Sequence, residues 1–550
     1  MSQHQITFLT DLYKNGRLGQ YFVAWVCDAS DDLSSLLSRQ GSSSSSNRNT
    51  RAVVAVAAVL VATIAWRQAR KASKPSFSGI PTPKGCYPIF GHMFTIGLNR
   101  VEKFSQWHKE LGPIFYIRTG VKHWLVIDDP YIAHEILVTK GKATADRQSG
   151  RKFHDFHSNG QTGIVLSSPD KAWSASRKAV LNALGPRTLK EASPVLCREA
   201  DEFVDTVATG ENIDPMPFLM RVSLNFILLT LFNVRSTSAD DPLYKQCMHV
   251  MEGTKKFTSF KYSFHMLLPA LKIVDTLFIG SQKYMYEFLE YDCKPFYLDL
   301  VEKALETEED NMTKILNDEI NQGKKGYYNN LLRTIHDMVF AGTDTTAVTM
   351  SWAFLQLSTL PDVQKRIQQE IDAFVAKNGR LPTFWERDQL PYMIATQREC
   401  LRFRPTTDFG VVHQASEDFE WQGNIIPKET LIITNMTTMH MNPDKYTEPE
   451  SFKPERFLQN TETMYASANQ RVANRDHFNF GWGRRVCVGA HLAETQMFHV
   501  WVCVFQKCDI KPALDENGNE IPHTLETVPP ISGPTVAEPS PFEIRFVPRT

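Results

Sequence analysis

Residues 480–489 read Phe-Gly-Trp-Gly-Arg-Arg-Val-Cys-Val-Gly, and this segment is the most specific signal in the chain. Its glycines let the backbone pass close to a flat cofactor, and backbone N–H groups near Cys487 can donate to the sulfur. Such donors keep a cysteine ionised, and iron in proteins is commonly held by a thiolate. The segment therefore favours a Cys487 that is kept as a thiolate.

This segment resembles the haem-binding signature of the cytochrome P450 family, Phe-x-x-Gly-x-Arg-x-Cys-x-Gly, at Phe480, Gly483, Arg485, Cys487 and Gly489. With residue frequencies of about 5%, five fixed positions match by chance roughly once in several thousand sequences of this size. The match favours a haem ligand over an ordinary buried thiol, which is the commonest role of a lone cysteine. The resemblance implies that these residues contact haem b and that Cys487 is its axial ligand.

The composition is that of a large globular protein of 550 residues. Hydrophobic residues make up 42% and charged residues 22%, which excludes a disordered or fibrous chain. The net charge of -1 gives no global attraction to nucleic acid. The nine cysteines are scattered and form no Cys-x-x-Cys pair, so we expect neither a disulfide framework nor a structural zinc site, and a reducing compartment fits best.

The hydrophobic pattern predicts a mainly α fold with a minor β region, and the resemblance implies the cytochrome P450 fold in a single large haem domain. Helical patterns dominate from residue 88 to about residue 410, and a helix near 45 Å long is expected over residues 330–360 because it contains no proline and Pro361 follows. Further helices are predicted over residues 361–379 and 391–404, and short strands over residues 419–423, 431–435 and 542–547.

The predicted long helix carries Ala-Gly-Thr-Asp-Thr-Thr at residues 341–346, which resembles the oxygen-binding motif of the family. Gly342 would leave room for a diatomic ligand, while Asp344 and Thr345 offer an acid and a hydroxyl that can pass protons to it. Alternatively, Thr345 bonds back to a carbonyl one turn earlier and Asp344 faces solvent.

Glu399 and Arg402 are three residues apart on a predicted helix, so they share a face and can pair. They resemble the Glu-x-x-Arg motif of the family, and residues 452–457 resemble the segment that supplies a second arginine, here Arg456. The resemblance implies a buried structural network of the three residues, whereas Glu-x-x-Arg by itself is usually a solvated surface pair.

Trp173 and Arg177 are four residues apart on a helix that we expect to begin at Ser168 as N-cap, so they project from one face. They resemble the Trp-x-x-x-Arg pair of the family, which implies contact with a haem propionate. The resemblance also implies that His413 and Arg485 donate to these carboxylates. The residues alone also fit a core Trp with a surface Arg and a structural His.

The uncharged and mostly apolar run over residues 52–66 predicts a single-pass membrane anchor, although its short length also fits a buried helix. Basic residues that follow the run favour a cytosolic body, and we expect the protein at the endoplasmic reticulum membrane. The expected organisation is a polar N-terminal extension (1–51), the anchor (52–66), a basic and Pro-rich linker (67–88) and the haem-thiolate domain (89–550).

The resemblance, to a membrane-anchored microsomal type, implies a monooxygenase that inserts one oxygen atom of O2 into an apolar small-molecule substrate. The expected electron donor is NADPH-cytochrome P450 reductase, with cytochrome b5 as a second donor, because no room remains in the chain for a flavin domain. Basic residues such as Lys178 and Arg484 are expected to steer the docking.

Two other haem-protein functions stay open at this point. An isomerase or dehydratase acting on peroxides needs no external electrons and can dispense with the acid and alcohol at Asp344 and Thr345, whose presence favours the monooxygenase. A non-catalytic haem sensor would close the sixth coordination site with a second protein ligand, which the sequence does not display. The identity of the substrate cannot be predicted from the sequence.

Overall fold

The computed structural model describes residues 67, 79–97, 99–147, 163–258, 266–272, 275–276, 280–321, 329–532 and 536–549. The predicted N-terminal extension (1–51) and membrane anchor (52–66) lie outside these residues, as does segment 68–78 of the linker. Within the described ranges, no helix is both long enough and apolar enough to cross a membrane.

Helices make up most of the described chain, as the sequence predicts. In chain order they are α1 (Met93–Ile96), α2 (Arg100–Leu111), α3 (Pro130–His134), α4 (Gly141–Thr144), α5 (Lys171–Ala183), α6 (Pro186–Val207), α7 (Met216–Phe232), α8 (Pro242–Thr258), α9 (Ser281–Glu287), α10 (Lys294–Glu306), α11 (Met312–Asn321), α12 (Asn329–Ser358), α13 (Pro361–Asn378), α14 (Pro391–Phe403), α15 (Met436–His440), α16 (Met464–Ala468) and α17 (Ala490–Lys507).

The strands are short and form small sheets. They are β1 (Ile114–Thr119), β2 (Lys122–Ile127), β3 (Asp146–Arg147), β4 (His413–Gln414), β5 (Phe419–Trp421), β6 (Asn424–Ile426), β7 (Leu431–Thr434), β8 (Cys508–Leu514), β9 (Glu520–Ile521), β10 (Pro530–Ser532), β11 (Ala537–Pro539) and β12 (Ile544–Pro548). The predicted strands at 419–423, 431–435 and 542–547 correspond to β5, β7 and β12.

The chain divides into two compact units, each assembled from three separate stretches of sequence. Unit 1 is formed by described residues from 1–156, 256–289 and 411–435, and unit 2 by those from 157–255, 290–410 and 436–550.

Unit 1 contains a five-stranded sheet in the order β1-β2-β7-β4-β3. Strands β2 and β7 pair in parallel, with Trp124 opposite Leu431, and the other neighbouring strands are antiparallel. Strands β1 and β2 lie at residues 114–127, inside the region that the sequence predicts to be mostly helical, and the sequence pattern did not single them out. All six residues of β1 are buried, and a short apolar run of this kind has no alternation that separates a strand from a buried helix.

Unit 2 is organised around α12, a helix of 30 residues that confirms the long helix predicted over 330–360. Its apolar side chains, such as Trp352 and Phe354, lie in one core with residues of α7 and α17, including Phe226 and Trp501. The helix is buried along almost its whole length, so groups that it carries are shielded from bulk water. Helices α13 and α14 match the predicted bounds to within one residue.

Helix α5 begins two residues later than the sequence predicted. Asp170, and not Ser168, is the N-cap, and its carboxylate accepts a hydrogen bond from the backbone N–H of Trp173 at 2.7 Å. The anionic side chain of Asp170 is favourable at the positive end of the helix dipole, and the observed helix begins after it.

The structure brings Glu399, Arg402 and Arg456 together in the interior of unit 2. Arg402 donates from Nε and Nη2 to the two carboxylate oxygens of Glu399, both at 2.7 Å, and Arg456 Nε lies 3.3 Å from Glu399 Oε1. The side chains of Glu399 and Arg402 are fully buried. Arg402 Nη1 also donates to the carbonyl oxygens of His440 and Pro449, at 3.0 and 2.8 Å.

These contacts attach helix α14 to the irregular segment that follows α15. A bidentate pair inside the protein compensates the cost of removing both charges from water only while both partners are present. The network therefore holds backbone carbonyls of the 440–451 segment in place, which agrees with the structural role that the resemblance implies.

We predict that Glu399→Ala destabilises the protein strongly, because it leaves Arg402 buried without its counter-charge, at a cost of about 3–5 kcal/mol. The matched control is Glu191→Ala, which breaks an exposed pair with Arg187 and costs about 0–1 kcal/mol. Thermal denaturation followed by far-UV circular dichroism compares the two variants. Equal shifts in the two variants would contradict a structural role for the network.

Candidate functional site

The loop that carries Cys487 is closed by its own backbone. The N–H of Cys487 donates to the carbonyl oxygen of Phe480 at 2.8 Å, and the turn between them contains a short 3-10 helix at Gly483–Arg485. Gly481 and Gly483 have φ angles of 77° and 52°, in the left-handed region that favours glycine. These two glycines therefore allow the chain to reverse tightly and present Cys487 at the end of the loop, immediately before α17.

The side chain of Cys487 is exposed, although the residues that surround it are buried. Its neighbours Val486 and Ala490 are buried, yet Cys487 itself is exposed, so the sulfur faces a recess. Burial raises the pKa of the Cys487 thiol, while the backbone N–H of Gly489 and the charge of Arg177 oppose that rise. An accessible sulfur with nearby donors fits a thiolate ligand to a haem iron, since a bound metal ion removes the thiol proton outright.

Gly489 is the N-cap of α17 and has a φ of -89°, which any residue can adopt. A Cβ atom at this position would lie 3.9 Å from Cys487 Sγ. The glycine therefore keeps the space beside the sulfur free of a side chain, which suits a flat cofactor on that side.

Two side chains of α5 lie close to the Cys487 loop, those of Trp173 and Arg177, and Arg485 of the loop itself contacts the same region. The guanidinium of Arg177 donates to the carbonyl oxygen of Val486, and that of Arg485 lies 4.6 Å from the ring centroid of Trp173. Arg485 donates to the carbonyl oxygens of Ile164 and Ser167, at 3.1 and 2.5 Å. The indole N–H of Trp173 donates to the same Ile164 oxygen at 2.9 Å.

The observed contacts of these three residues are thus with backbone carbonyls, and they brace the loop against the segment before α5. A propionate role for them remains a prediction that follows from the resemblance. The positive charge gathered beside Cys487 suits a cofactor with two carboxylates, because guanidinium groups bind carboxylates with good geometry.

His413 lies in unit 1, on strand β4. Its side chain is buried, and its Nδ1 atom lies 3.0 Å from the carbonyl oxygen of Thr144. Arg147 stands opposite it on β3 and donates to the carbonyl oxygens of Val411 and Val412, at 2.9 and 3.0 Å. These contacts are structural within unit 1, and the propionate role of His413 remains a prediction.

The structure of the 341–346 motif on α12 agrees completely with neither interpretation of the sequence, the proton-transfer role or the back-bonded Thr345 with a solvent-facing Asp344. Thr345 Oγ1 donates to the carbonyl oxygen of Ala341 at 2.6 Å, which is the back-bond of the alternative interpretation. Asp344 is buried, with 2% of its surface exposed, and so does not face solvent. A Cβ atom on Gly342 would lie 2.5 Å from Ile227 Cδ1, so Gly342 allows the close approach of helix α7. The room for a diatomic ligand at this residue stays a prediction.

Asp344 has an ionic partner that sequence reasoning missed. Lys255 Nζ, on α8, lies 2.6 Å from Asp344 Oδ1 and 2.6 Å from Glu538 Oε1, on β11. The three residues are far apart in the chain and belong to no common motif. No sequence signal connects them, and only the fold of unit 2 brings them together.

Comparison with known proteins agrees with this geometry. The cytochrome P450 family model matches residues 81–535. Cytochrome P450 monooxygenase 231 of the fungus Postia placenta is 27% identical, over 86% of this chain and 89% of its own. The steroid 17-alpha-hydroxylase/17,20 lyase of the cat Felis catus is 29% identical, over 77% of this chain and 84% of its own.

The fold is shared with a solved structure. A zebrafish cytochrome P450, determined with abiraterone, superposes with a TM-score of 0.64 and 22% identity, covering 82% of this chain and 100% of its own. This likeness establishes the fold, and the family match and the relatives establish the class of enzyme. The chain belongs to the cytochrome P450 family and is a monooxygenase of that family, in which a cysteine thiolate ligates the haem.

Proposed function

We propose that this chain binds haem b through Cys487 and inserts one oxygen atom of O2 into an apolar small-molecule substrate. The reaction consumes O2, two electrons and two protons for each hydroxylated product and each water formed. The observation that carries the proposal is the accessible thiol of Cys487, deep in the protein at the end of a glycine-turned loop and beside an arginine. When bound, the haem supplies the iron at which O2 is activated.

The residues around Cys487 favour its ionised form. The N–H of Gly489 donates to the sulfur, and Arg177, fixed on the Val486 carbonyl, places a positive charge nearby. Both interactions stabilise a thiolate and oppose the effect of burial.

Asp344 and Thr345 are proposed to handle the protons that the reaction consumes. Burial raises the pKa of Asp344, which favours a carboxyl group that holds a proton, although Lys255 opposes this shift. Asp344 Oδ2 has no hydrogen-bond partner among the described residues, so it is the atom at which a proton can be held and transferred. The hydroxyl of Thr345 donates its hydrogen to the carbonyl oxygen of Ala341. Its oxygen can therefore accept a hydrogen bond from an incoming donor.

The proposed electron donor is a separate NADPH-cytochrome P450 reductase, with cytochrome b5 as a second donor. Lys178 and Arg484 are both exposed. Lys178 follows Arg177 on α5, and Arg484 lies inside the Cys487 loop. Both therefore place positive charge on the cysteine side of unit 2, where an acidic partner can be steered.

We propose that the substrate belongs to an apolar class. The cat relative is named for reactions of steroids, which supports an apolar class of substrate.

We further propose that residues 52–66 anchor the protein in the endoplasmic reticulum membrane with its body in the cytosol. The basic residues after this run and the Pro-rich linker support that arrangement.

We predict that Cys487→Ala abolishes the red-shifted Soret band of the reduced carbon monoxide complex and reduces turnover to the background without reductase, because no other thiolate replaces the ligand. The matched control is Cys86→Ala, which removes an exposed cysteine outside the signature. Difference spectra of both purified variants decide the assignment. Survival of the band in Cys487→Ala would show that another residue ligates the iron.

We predict that Asp344→Asn and Thr345→Ala keep the thiolate spectrum but lower the product formed per NADPH consumed, since a positioned proton donor contributes about 10²–10⁴ in rate. Oxygen that receives two electrons without transfer to the substrate leaves as hydrogen peroxide, so peroxide release should rise. Both quantities are measured with reductase and a substrate found by spectral titration. Unchanged coupling and rate in both variants would mean that the α12 motif is structural.

We predict that removal of residues 1–74 moves the protein from the membrane fraction to the soluble fraction, because the apolar run is lost while the described fold is kept. The carbon monoxide spectrum of the soluble protein serves as the control for intact haem binding. Equal membrane retention by the full and shortened chains would contradict the anchor at residues 52–66.

A further inference from the structure

A small cavity lies between α10 and α12 in unit 2. Its volume is about 20 Å³, and its walls include Lys294 and Tyr297 of α10 and Arg333 and His336 of α12. A volume of roughly 10–15 Å³ is enough to hold one water molecule. The cavity therefore fits one particle of the size of a water molecule or a chloride ion.

Arg333 brings an incompletely balanced positive charge to this cavity. Its guanidinium carries five N–H donors, and no described residue accepts a hydrogen bond from it or forms an ion pair with it. Burial lowers the pKa of Arg333, although the nearby Cys293, Asp337 and Glu290 oppose this shift. The net effect is a lowered pKa, so these neighbours do not fully compensate the burial of a group that stays charged in proteins.

The two carboxylates near Arg333 are bound to other groups. Glu290 forms an ion pair with Lys294. Asp337 Oδ2 accepts hydrogen bonds from the backbone N–H groups of residues 164 and 165, at 2.7 and 3.0 Å. The donors of Arg333 therefore remain available to a ligand in the cavity.

The hydroxyl of Tyr297 is a second donor in the wall of the cavity. The residue is 2% exposed, and its hydroxyl has no hydrogen-bond partner within the described part of the chain. Its ring stacks on that of His336, with centroids 5.1 Å apart, and His336 Nε2 lies 3.0 Å from Thr254 Oγ1. Burial raises the pKa of Tyr297 well above its usual value, so the phenol keeps its hydrogen. A buried hydroxyl of this kind is stabilised by any acceptor that enters the cavity.

We propose that this cavity binds one small inorganic anion of the size of chloride, held by the guanidinium of Arg333 and the hydroxyl of Tyr297. An anion accepts hydrogen bonds from both groups and balances the charge of Arg333, whereas a water molecule leaves that charge uncompensated. Because Tyr297 belongs to α10 and Arg333 to α12, the bound anion joins the two helices. The inference does not depend on the haem ligand or on the proposed reaction.

The first test is thermal unfolding of the purified full chain with its haem, in sodium chloride and in sodium gluconate at equal ionic strength. Gluconate is too large for the cavity, so the comparison keeps charge screening constant. A ligand that binds only the folded protein raises its melting temperature, and we expect a rise of about 1–4 °C in chloride. Equal melting temperatures in the two salts would overturn the proposal.

Variants show whether a chloride effect belongs to this cavity. Arg333→Met should abolish the rise. Tyr297→Phe keeps the ring and removes the hydroxyl, so the chloride concentration that gives half of the rise should increase about tenfold. The matched control is Lys303→Met, which removes an exposed charge of α10 that pairs with Asp299 and should respond like the parent protein.

The carbon monoxide spectrum checks haem binding in every variant. If Arg333→Met does not fold, the weaker response of Tyr297→Phe decides. A response like that of the parent protein in both variants would place the chloride effect elsewhere and overturn the proposal.

Crystals soaked in sodium bromide locate the anion directly by the anomalous scattering of bromide. We expect a peak between Arg333 and Tyr297 in the parent protein and none in Arg333→Met. The absence of a peak in the parent protein would show that the cavity holds water and would overturn the proposal. A peak without the chloride effect in solution would mean binding at crystal concentration only, which also overturns it.

Discussion

The rest of the site depends on one electrostatic constraint, which is that a sulfur buried in protein prefers to keep its proton. Burial alone opposes ionisation of the Cys487 thiol. A backbone N–H dipole and a nearby positive charge counteract this effect. The tight reversal at Gly481 and Gly483 delivers the sulfur to the start of α17, where a backbone N–H points at it. Arg177 is held beside it by a carbonyl of the same loop, which fixes the position of its positive charge.

The same constraint acts on buried carboxyl groups elsewhere in unit 2, because burial disfavours their anionic form as well. Glu399 and Asp344 are carboxylates removed from water. Glu399 pairs with Arg402 on its own helix and with the distant Arg456, whereas Asp344 pairs with the distant Lys255. The Glu399 network is fully enclosed and bidentate, which suits a permanent structural connection. The pair of Asp344 and Lys255 is only partly enclosed, because Lys255 is 28% exposed and also pairs with Glu538.

Sequence reasoning succeeded where the information is local. The Cys487 loop, the bounds of α12 and the pairing of Glu399 with Arg402 all depend on spacings of a few residues. It failed where partners are distant, because no local pattern ties Lys255 and Glu538 to Asp344 or places Ile227 against Gly342. Strands β1 and β2 were missed for a related reason, since their identity is settled by their pairing with each other and by the pairing of β2 with β7, and not by their own periodicity.

The parallel pairing of β2 with β7 also has a consequence for the synthesis of the chain. Residues 122–127 meet residues 431–434, so the sheet of unit 1 cannot close until about 300 further residues have left the ribosome. At roughly 5–20 residues per second, that interval lasts about 15–60 seconds. Throughout it, the nascent β1–β2 hairpin has an unpaired apolar edge that is prone to aggregation. A long delay before this edge is paired therefore favours aggregation of the nascent chain over closure of the sheet.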